Sequence, residues 1–248
     1  MTGRLTAICS VVAMALASGC SSYYEIPIET PIKAKLDTTP FQRVLIAGFV
    51  SGGTEDIDGN LETTRLLRSQ LRTKSELRVI DTDTLPLVQV ASEERGEAAQ
   101  PVPEAIKSEK DLEAFEHVFA NVEYWKRIGE EYQQPLIVTG TVLFTPQQRN
   151  NVVQREEEVY DSFGRRRVVP VRVFQERKGF ALSGRFIFID GRSGTTLHSQ
   201  TFGEQVLYAA NNATPALSSY FELMDRLIPS FLSTLSSQKI RGTRVLLQ

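Results

Sequence analysis

Two hydrophobic periods alternate along this chain, and the switches between them mark its elements. Gln42 to Val50, QRVLIAGFV, is an unbroken apolar run rich in β-branched residues, the pattern of a strand covered on both faces. A polar, glycine-bearing stretch, SGGTEDIDGN, follows. Leu61 to Thr73 then predicts a helix, with Leu61, Leu67 and Leu71 near one stripe and Arg65, Arg68 and Arg72 elsewhere. Asn60 suits its N-cap, because its side chain accepts from a free first-turn N–H. Glu76 to Asp81, ELRVID, is a second strand, so the chain opens β-α-β with a right-handed parallel crossover. Residues 84–107 hold Pro86, Pro101, Pro103 and a polar SEERGEAAQ, which predicts a loop. Ser108 to Tyr132 predicts one long helix, begun by a capping-box-like Ser108 and Asp111. Its buried stripe is Leu112, Phe115, Phe119 and Val122, extended by Trp125 and Ile128. Leu136 to Phe144, LIVTGTVLF, is a third strand, in which Gly140 allows close packing.

The second half changes to alternation. Gln154 to Phe174 predicts a hairpin, with Glu156–Glu158 before a turn at Asp161-Ser162-Phe163-Gly164 and Arg165–Arg167 after it. Opposed charges across such a hairpin contribute roughly 0.2–1 kcal/mol each. Pro170 cannot donate to a ladder, so its strand is an edge or bulged there. Phe180 to Ile189 is a strand with Leu182, Phe186 and Phe188 on one face. Asp190-Gly191-Arg192-Ser193-Gly194 is a tight turn, and Thr195 to Leu207 returns as a strand. Thr214 caps a last helix with Pro215 at its first position. Leu217, Phe221, Met224, Ile228, Phe231 and Leu235 form its stripe, with a kink expected at Pro229. The order over 41–248 is β-α-β-α-β-β-β-α. It predicts a single α/β domain with a mixed sheet flanked by helices and a hairpin projecting at about 154–174.

The start of the chain follows neither period. Leu5 to Leu16 is a short apolar stretch after Arg4 that ends in Leu16-Ala17-Ser18-Gly19-Cys20. At about 12 residues it falls short of the roughly 20 needed to span a bilayer. A basic start, an apolar core and small residues before a cut make a secretory signal. A Cys directly after Ala-Ser-Gly resembles a bacterial lipoprotein signal. That resemblance implies cleavage between Gly19 and Cys20, an acylated Cys20 as the mature N-terminus, and a membrane tether. Ser21 in place of Asp is similar to lipoproteins sent to the outer membrane, so the expected address is its periplasmic face. Residues 21–40, with three Pro and no period, predict an extended tether.

Composition narrows the classes. The 248 residues less the 19 of the leader leave 229, and the leader takes Arg4 and no acid, so 27 basic residues face 30 acidic. That balance excludes the strongly basic profile of nucleic-acid binders. Hydrophobic residues at 41 % suffice for a core. Of the two cysteines, Cys9 lies in the leader, which leaves Cys20 as lipid carrier and no disulfide, Cys metal site or thiol nucleophile.

The strand RVLIAGF, the helix followed by ELRVIDTD, and the strand pair FIFIDGRSGTTLHSQTF together resemble one group of envelope proteins. It comprises the curli secretion channel lipoprotein, the flagellar outer-membrane lipoproteins, the lipoprotein activators of penicillin-binding proteins and the N-terminal domain of the Tol–Pal propeller protein. The turn Asp190-x-x-Ser193-Gly194-x-x-Leu197 is its nearest thing to a motif, and the resemblance spans about 41–238. It implies a non-enzymatic periplasmic module that binds envelope proteins or copies of itself. One departure stands out. The segment 145–178, where the curli channel has lipid-facing hairpins, carries Arg149, Arg155, Glu156–Glu158, Arg165–Arg167, Arg172, Glu176, Arg177 and Lys178. Charges facing lipid cost roughly 2–4 kcal/mol each near the midplane, so no pore is expected.

Other chemistry finds little support. Asp56, Asp58 and Asn60 have the one-three-five spacing of a calcium loop, but Leu61 and Leu67 stand where Gly and Glu belong. Ser51-Gly52-Gly53 lacks both phosphate-loop patterns. His117 and His198 are the only histidines, and no HExxH, GxSxG or SxxK motif accompanies them. The expectation is no enzyme, no metal and no cofactor. The candidate partner contacts are Tyr160, Phe163, Arg165, Arg166 and Arg167 on the hairpin, together with the loop 84–107. The alternative is a ligand- or polysaccharide-binding lipoprotein using the loops 51–59 and 84–107, with a pocket lined by Trp125 or Tyr132.

Overall fold

The computed structural model describes residues 23–95, 103, 105–160, 162–209, 212 and 214–247. Gly19 and Cys20 lie outside them. The chain forms two units, Ala34–Ser236 and a smaller one built from both ends.

In the larger unit the apolar runs become a five-stranded sheet of order β3-β2-β4-β5-β6, with β2 Arg43–Gly53, β3 Arg78–Ile80, β4 Leu136–Tyr160, β5 Arg166–Asp190 and β6 Thr196–Ala209. β2 pairs in parallel with β3 and β4, whereas β4, β5 and β6 are antiparallel. Because side chains alternate across a strand, each run feeds two cores. Val44, Ile46, Leu136, Val138, Phe186 and Phe188 join helices α1 (Gly59–Lys74) and α6 (Ala216–Leu235) on one face. Leu45, Ala47, Ile137, Ile187 and Ile189 join α2 (Leu87–Arg95), α3 (Glu109–Glu113), α4 (Glu116–Ala120) and α5 (Val122–Glu131) on the other. The mixed sheet flanked by helices is the expected fold class.

A bulge in β2 swaps the parity of its faces. The register shifts between Ile46 and Gly48, and thereafter Phe49 joins the Val44 face and Val50 the Leu45 face. Gly48 holds φ +114 at this point, a conformation that glycine adopts without strain. Three partners outside the ladder satisfy the freed groups. Leu85 N–H donates to the Ala47 carbonyl at 2.7 Å, Thr139 Oγ1 to the Gly48 carbonyl at 2.9 Å, and Phe49 N–H to Asn60 Oδ1 at 2.8 Å. Asn60 is therefore committed to the bulge, and Asp58 caps α1 instead, accepting from Leu61 N–H at 3.0 Å. Gly140 makes the predicted close approach. Its φ is +145, and a Cβ there would lie 1.8 Å from the Arg185 carbonyl oxygen.

The helices depart from expectation in instructive ways. The predicted helix over 108–132 is three short ones. Asp111 accepts from Lys107 and Ser108 N–H at 2.9 and 2.8 Å, which lowers its carboxyl pKa from the ordinary value. Asn121 ends α4 and caps α5 by accepting from Tyr124 N–H at 3.0 Å. The breaks let Phe115, Val118 and Trp125 all become fully buried. The stretch 84–107 contains α2 rather than loop alone. On α6, Pro215 occupies the N-cap and the helix runs through Pro229 to Leu235. Leu217 and Leu61, assigned to stripes from sequence, are 48 % and 40 % exposed. Tyr220 joins α6 to α1. Its hydroxyl lies 2.5 Å from Thr63 Oγ1 and donates to the Gly59 carbonyl at 3.1 Å, and burial pushes its pKa far up.

The smaller unit is a two-stranded antiparallel ribbon of β1 (Tyr23–Ile32) and β7 (Gln238–Leu247), registered from Tyr23 against Leu247 to Ile32 against Gln238. Half of the expected tether is thus a strand. Glu29 zips one face of the ribbon, meeting Arg241 Nε at 3.1 Å and Lys239 Nζ at 3.4 Å.

Candidate interaction surface

β4 and β5 outrun the sheet. The pairing of β2 with β4 ends at Phe144 and that of β6 with β5 at Arg177, yet β4 and β5 stay paired to Tyr160 and Arg166. From Asn150–Glu176 to Tyr160–Arg166 there are eleven pairs. At roughly 3.3 Å per residue the two strands form an arm about 35 Å long. The change in burial falls within β4 itself: Leu136 to Phe144 is buried and Gln147 to Tyr160 exposed. The predicted hairpin at 154–174 is the outer part of this arm.

Cross-strand pairing sorts the side chains onto two faces. One carries Val153, Val159, Val169, Val171 and Val173 with Arg149, Arg155, Arg167 and Arg177 and the single acid Glu157. The other carries Val152, Tyr160, Val168 and Phe174 with Glu156, Glu158, Glu176, Arg166 and Arg172. Both faces stand open, with Val159 46 % exposed on the first and Phe174 81 % on the second. The strands differ in net charge: over 150–160 β4 carries Glu156–Glu158 against Arg155, while over 166–176 β5 carries Arg166, Arg167 and Arg172 against Glu176.

The predicted contact residues gather at the tip. Gly164 holds φ +72 in the turn, Phe163 is 82 % exposed, and the Arg165 guanidinium lies 5.4 Å from its ring centroid. Asp161 lies outside the described residues. The expected charge pairing is present in Arg166 with Glu158, and further down Gln148 Nε2 donates to Glu176 Oε1 at 2.7 Å while Lys178 meets Glu176 at 3.1 Å. Exposed pairs of this kind contribute at most about 1 kcal/mol each. The length of the arm and its open edges were not foreseen from sequence, although Val152, Val153 and Val159 carried a faint signal of them.

Elsewhere the candidate sites resolve into structural roles. Gly53 N–H donates to the Ile106 carbonyl at 2.8 Å, and a Cβ on Gly52 would meet Ile106 at 2.5 Å, so the Ser51-Gly52-Gly53 loop is filled. Asp56 accepts from Thr54 Oγ1, Asp58 caps α1 and Asn60 serves the bulge, so the three do not converge. Among the described residues no group of three His, Cys, Asp or Glu is placed to hold a metal. His117 Nε2 lies 3.1 Å from the Ala91 carbonyl, while the His198 ring lies tilted 5.9 Å from that of Phe188 with Nε2 buried and unpartnered. Trp125, expected to line a pocket, is fully buried and donates Nε1 to the Val118 carbonyl at 2.8 Å. The Asp190–Gly194 turn is a packing device. Asp190 Oδ1 accepts from Arg192 N–H at 2.9 Å, and the Gly191 carbonyl abuts Gly129 of α5 so closely that a Cβ there would lie 1.7 Å away. A recess of about 700 Å³ opens at the base of the arm, floored by Leu143, Thr145, Ala181, Ser183 and Gly203, with Lys107 and Glu109 at its rim. No helix among the described residues is long and apolar enough to cross a membrane.

No protein-family model and no curated protein matches the chain. Solved structures to which the chain is similar include the lipoprotein GNA1162 of Neisseria meningitidis, at 11 % identity over 77 % of this chain and 97 % of that one, TM-score 0.34. The LpoB C-terminal domain of Salmonella enterica is similar at 10 % over 79 % and 93 %, TM-score 0.34. A PelC dodecamer of Paraburkholderia phytofirmans is similar at 14 % over 88 % and 100 %, TM-score 0.34. At scores of this size none of the three bears on what this chain does, which is read from its own surfaces.

Proposed function

We propose that this protein is a non-catalytic interaction module of the bacterial envelope, anchored through an acylated Cys20 at the periplasmic face of the outer membrane, and that the arm is its working surface. One observation carries the reading: a two-stranded arm with both faces and both edges open to solvent. A ribbon of two strands is marginal alone, open strand edges recruit other strands, and an exposed apolar patch marks an interaction site. The acidic β4 edge and basic β5 edge are complementary, so a neighbouring copy or an envelope protein presenting a strand fits either side. The supporting experiment removes residues 157–168 and compares native masses after extraction in mild detergent. Loss of a defined assembly, with the unfolding of the core unchanged, supports the proposal; an unchanged assembly refutes it.

The recess at the base of the arm favours a second reading, a site for a polar ligand such as a polysaccharide. Its Thr145 and Ser183 hydroxyls offer the donors and acceptors a sugar needs. Ser183→Leu would abolish glycan binding under that reading and leave the assembly untouched under the first.

A further inference from the structure

The ribbon of β1 and β7 has a face that nothing so far explains. Tyr24, Ile26, Ile28 and Ile32 share it, exposed at 67, 45, 38 and 45 %. Arg244 stands on the same face opposite Ile26, whereas the opposite face carries Glu25, Glu29, Lys239 and Arg241, zipped at Glu29, with Val245 exposed among them. We propose that this apolar face lies flat on the lipid bilayer, in the headgroup boundary, and fixes the protein at the membrane as a second contact beside the acyl group. This rests on the reading of Cys20 as the acylated residue.

Four features favour lipid over a protein partner. First, Tyr23 is three residues from Cys20, a reach of roughly 11 Å, so an acylated Cys20 keeps β1 at the headgroups. Second, the exposed tyrosine sits at the lipid-proximal end, where amphipathic rings favour the interface. Third, the one charged residue on the apolar face is Arg244, a cation that anionic lipid attracts, while Lys239 and Arg241 pair with Glu29 on the other face. Arg244 reaches from the apolar face to phosphate by extending along its stem. Fourth, Pro27 and Pro31 remove two donors from β1, which blunts it against strand addition by a partner. An open ribbon leaves edge groups that hydrocarbon cannot satisfy, so it lies in the interface rather than spanning.

The test floats the full mature chain, carrying Cys20→Ser so that no lipid assists, with vesicles of phosphatidylethanolamine and phosphatidylglycerol. The chain is expected to float. Ile26→Asp with Ile28→Asp should lower partitioning by about 30-fold or more, since two apolar side chains leave the interface. Thr243→Asp with Val245→Asp adds the same charge to the opposite face and should retain most of the binding. Failure of the unlipidated chain to float, equal loss in both variants, or a wild-type dimer that the Ile variant dissolves in the absence of vesicles overturns the proposal; the last result would give the face to a second copy. Intact mass of the chain extracted from native membranes separates the two claims. An unacylated Cys20 in a chain that floats removes the lipid anchor and leaves the ribbon's contact standing, whereas an acylated Cys20 with no flotation does the reverse.

Discussion

β4 and β5 are each one continuous strand with two environments. Toward the sheet, Leu136–Phe144 and Phe186–Ile189 are buried between helix layers. Beyond Asn150 and Glu176 the same strands pair only with each other and carry valines and charges in the open. The ladder between β4 and β5 runs through both halves, so that ladder is not what makes one half core and the other arm. What differs is coverage. Stability resides where both faces are buried, and the proposed recognition surface lies where neither is.

Substitutions that break this contrast should differ most at the aromatic positions. Phe186 is buried at 2 %, stacks on Phe202 and meets Phe231 edge to face, so Phe186→Ala should cost roughly 3–5 kcal/mol in urea unfolding. Phe174→Ala, at 81 % exposure, should stay within about 0.5 kcal/mol while weakening assembly. Gly140→Ala forces β4 off β5 at Arg185 and should cost at least about 2 kcal/mol, read by the same unfolding. Asn60→Ala strands the Phe49 N–H at the bulge and should cost about 1–3 kcal/mol. The smallest core effect is Tyr220→Phe, about 1 kcal/mol. It has a pH signature. The raised pKa of Tyr220 means the folded state keeps a proton that the unfolded chain loses near pH ~10. The stabilisation is therefore complete below that pH and falls as pH rises above it, and the Phe variant should lack that part of the alkaline loss.

The core was legible in the sequence because burial on both faces writes an unbroken apolar run, as in QRVLIAGFV and LIVTGTVLF. The capping pair Ser108 and Asp111 was legible for a similar reason, since a local hydrogen bond has a local spacing. The arm was only half visible: its outer part, 154–174, reads as a hairpin, while a ribbon without a covered face has no need of strict alternation and left 145–153 unassigned. β1 did alternate, at Tyr24, Ile26, Ile28 and Ile32, but Pro27 and Pro31 disguised it, and its partner lies more than 200 residues away. The breaks at Ala114 and Asn121 were invisible because Leu112, Phe115, Phe119 and Val122 fit one continuous helix. Asn60 was assigned to the nearest helix end, whereas its partner is a bulge fixed by tertiary register.

Amide hydrogen exchange over 150–160 and 166–176 tests the role of the arm most directly, comparing protein extracted from native membranes in mild detergent with the purified single chain. If the arm is the working surface, amides on its outward edges exchange freely in the single chain and become protected in the native extract, while the Leu136–Phe144 amides stay equally protected in both. Equal, rapid exchange of the arm in both samples would contradict it.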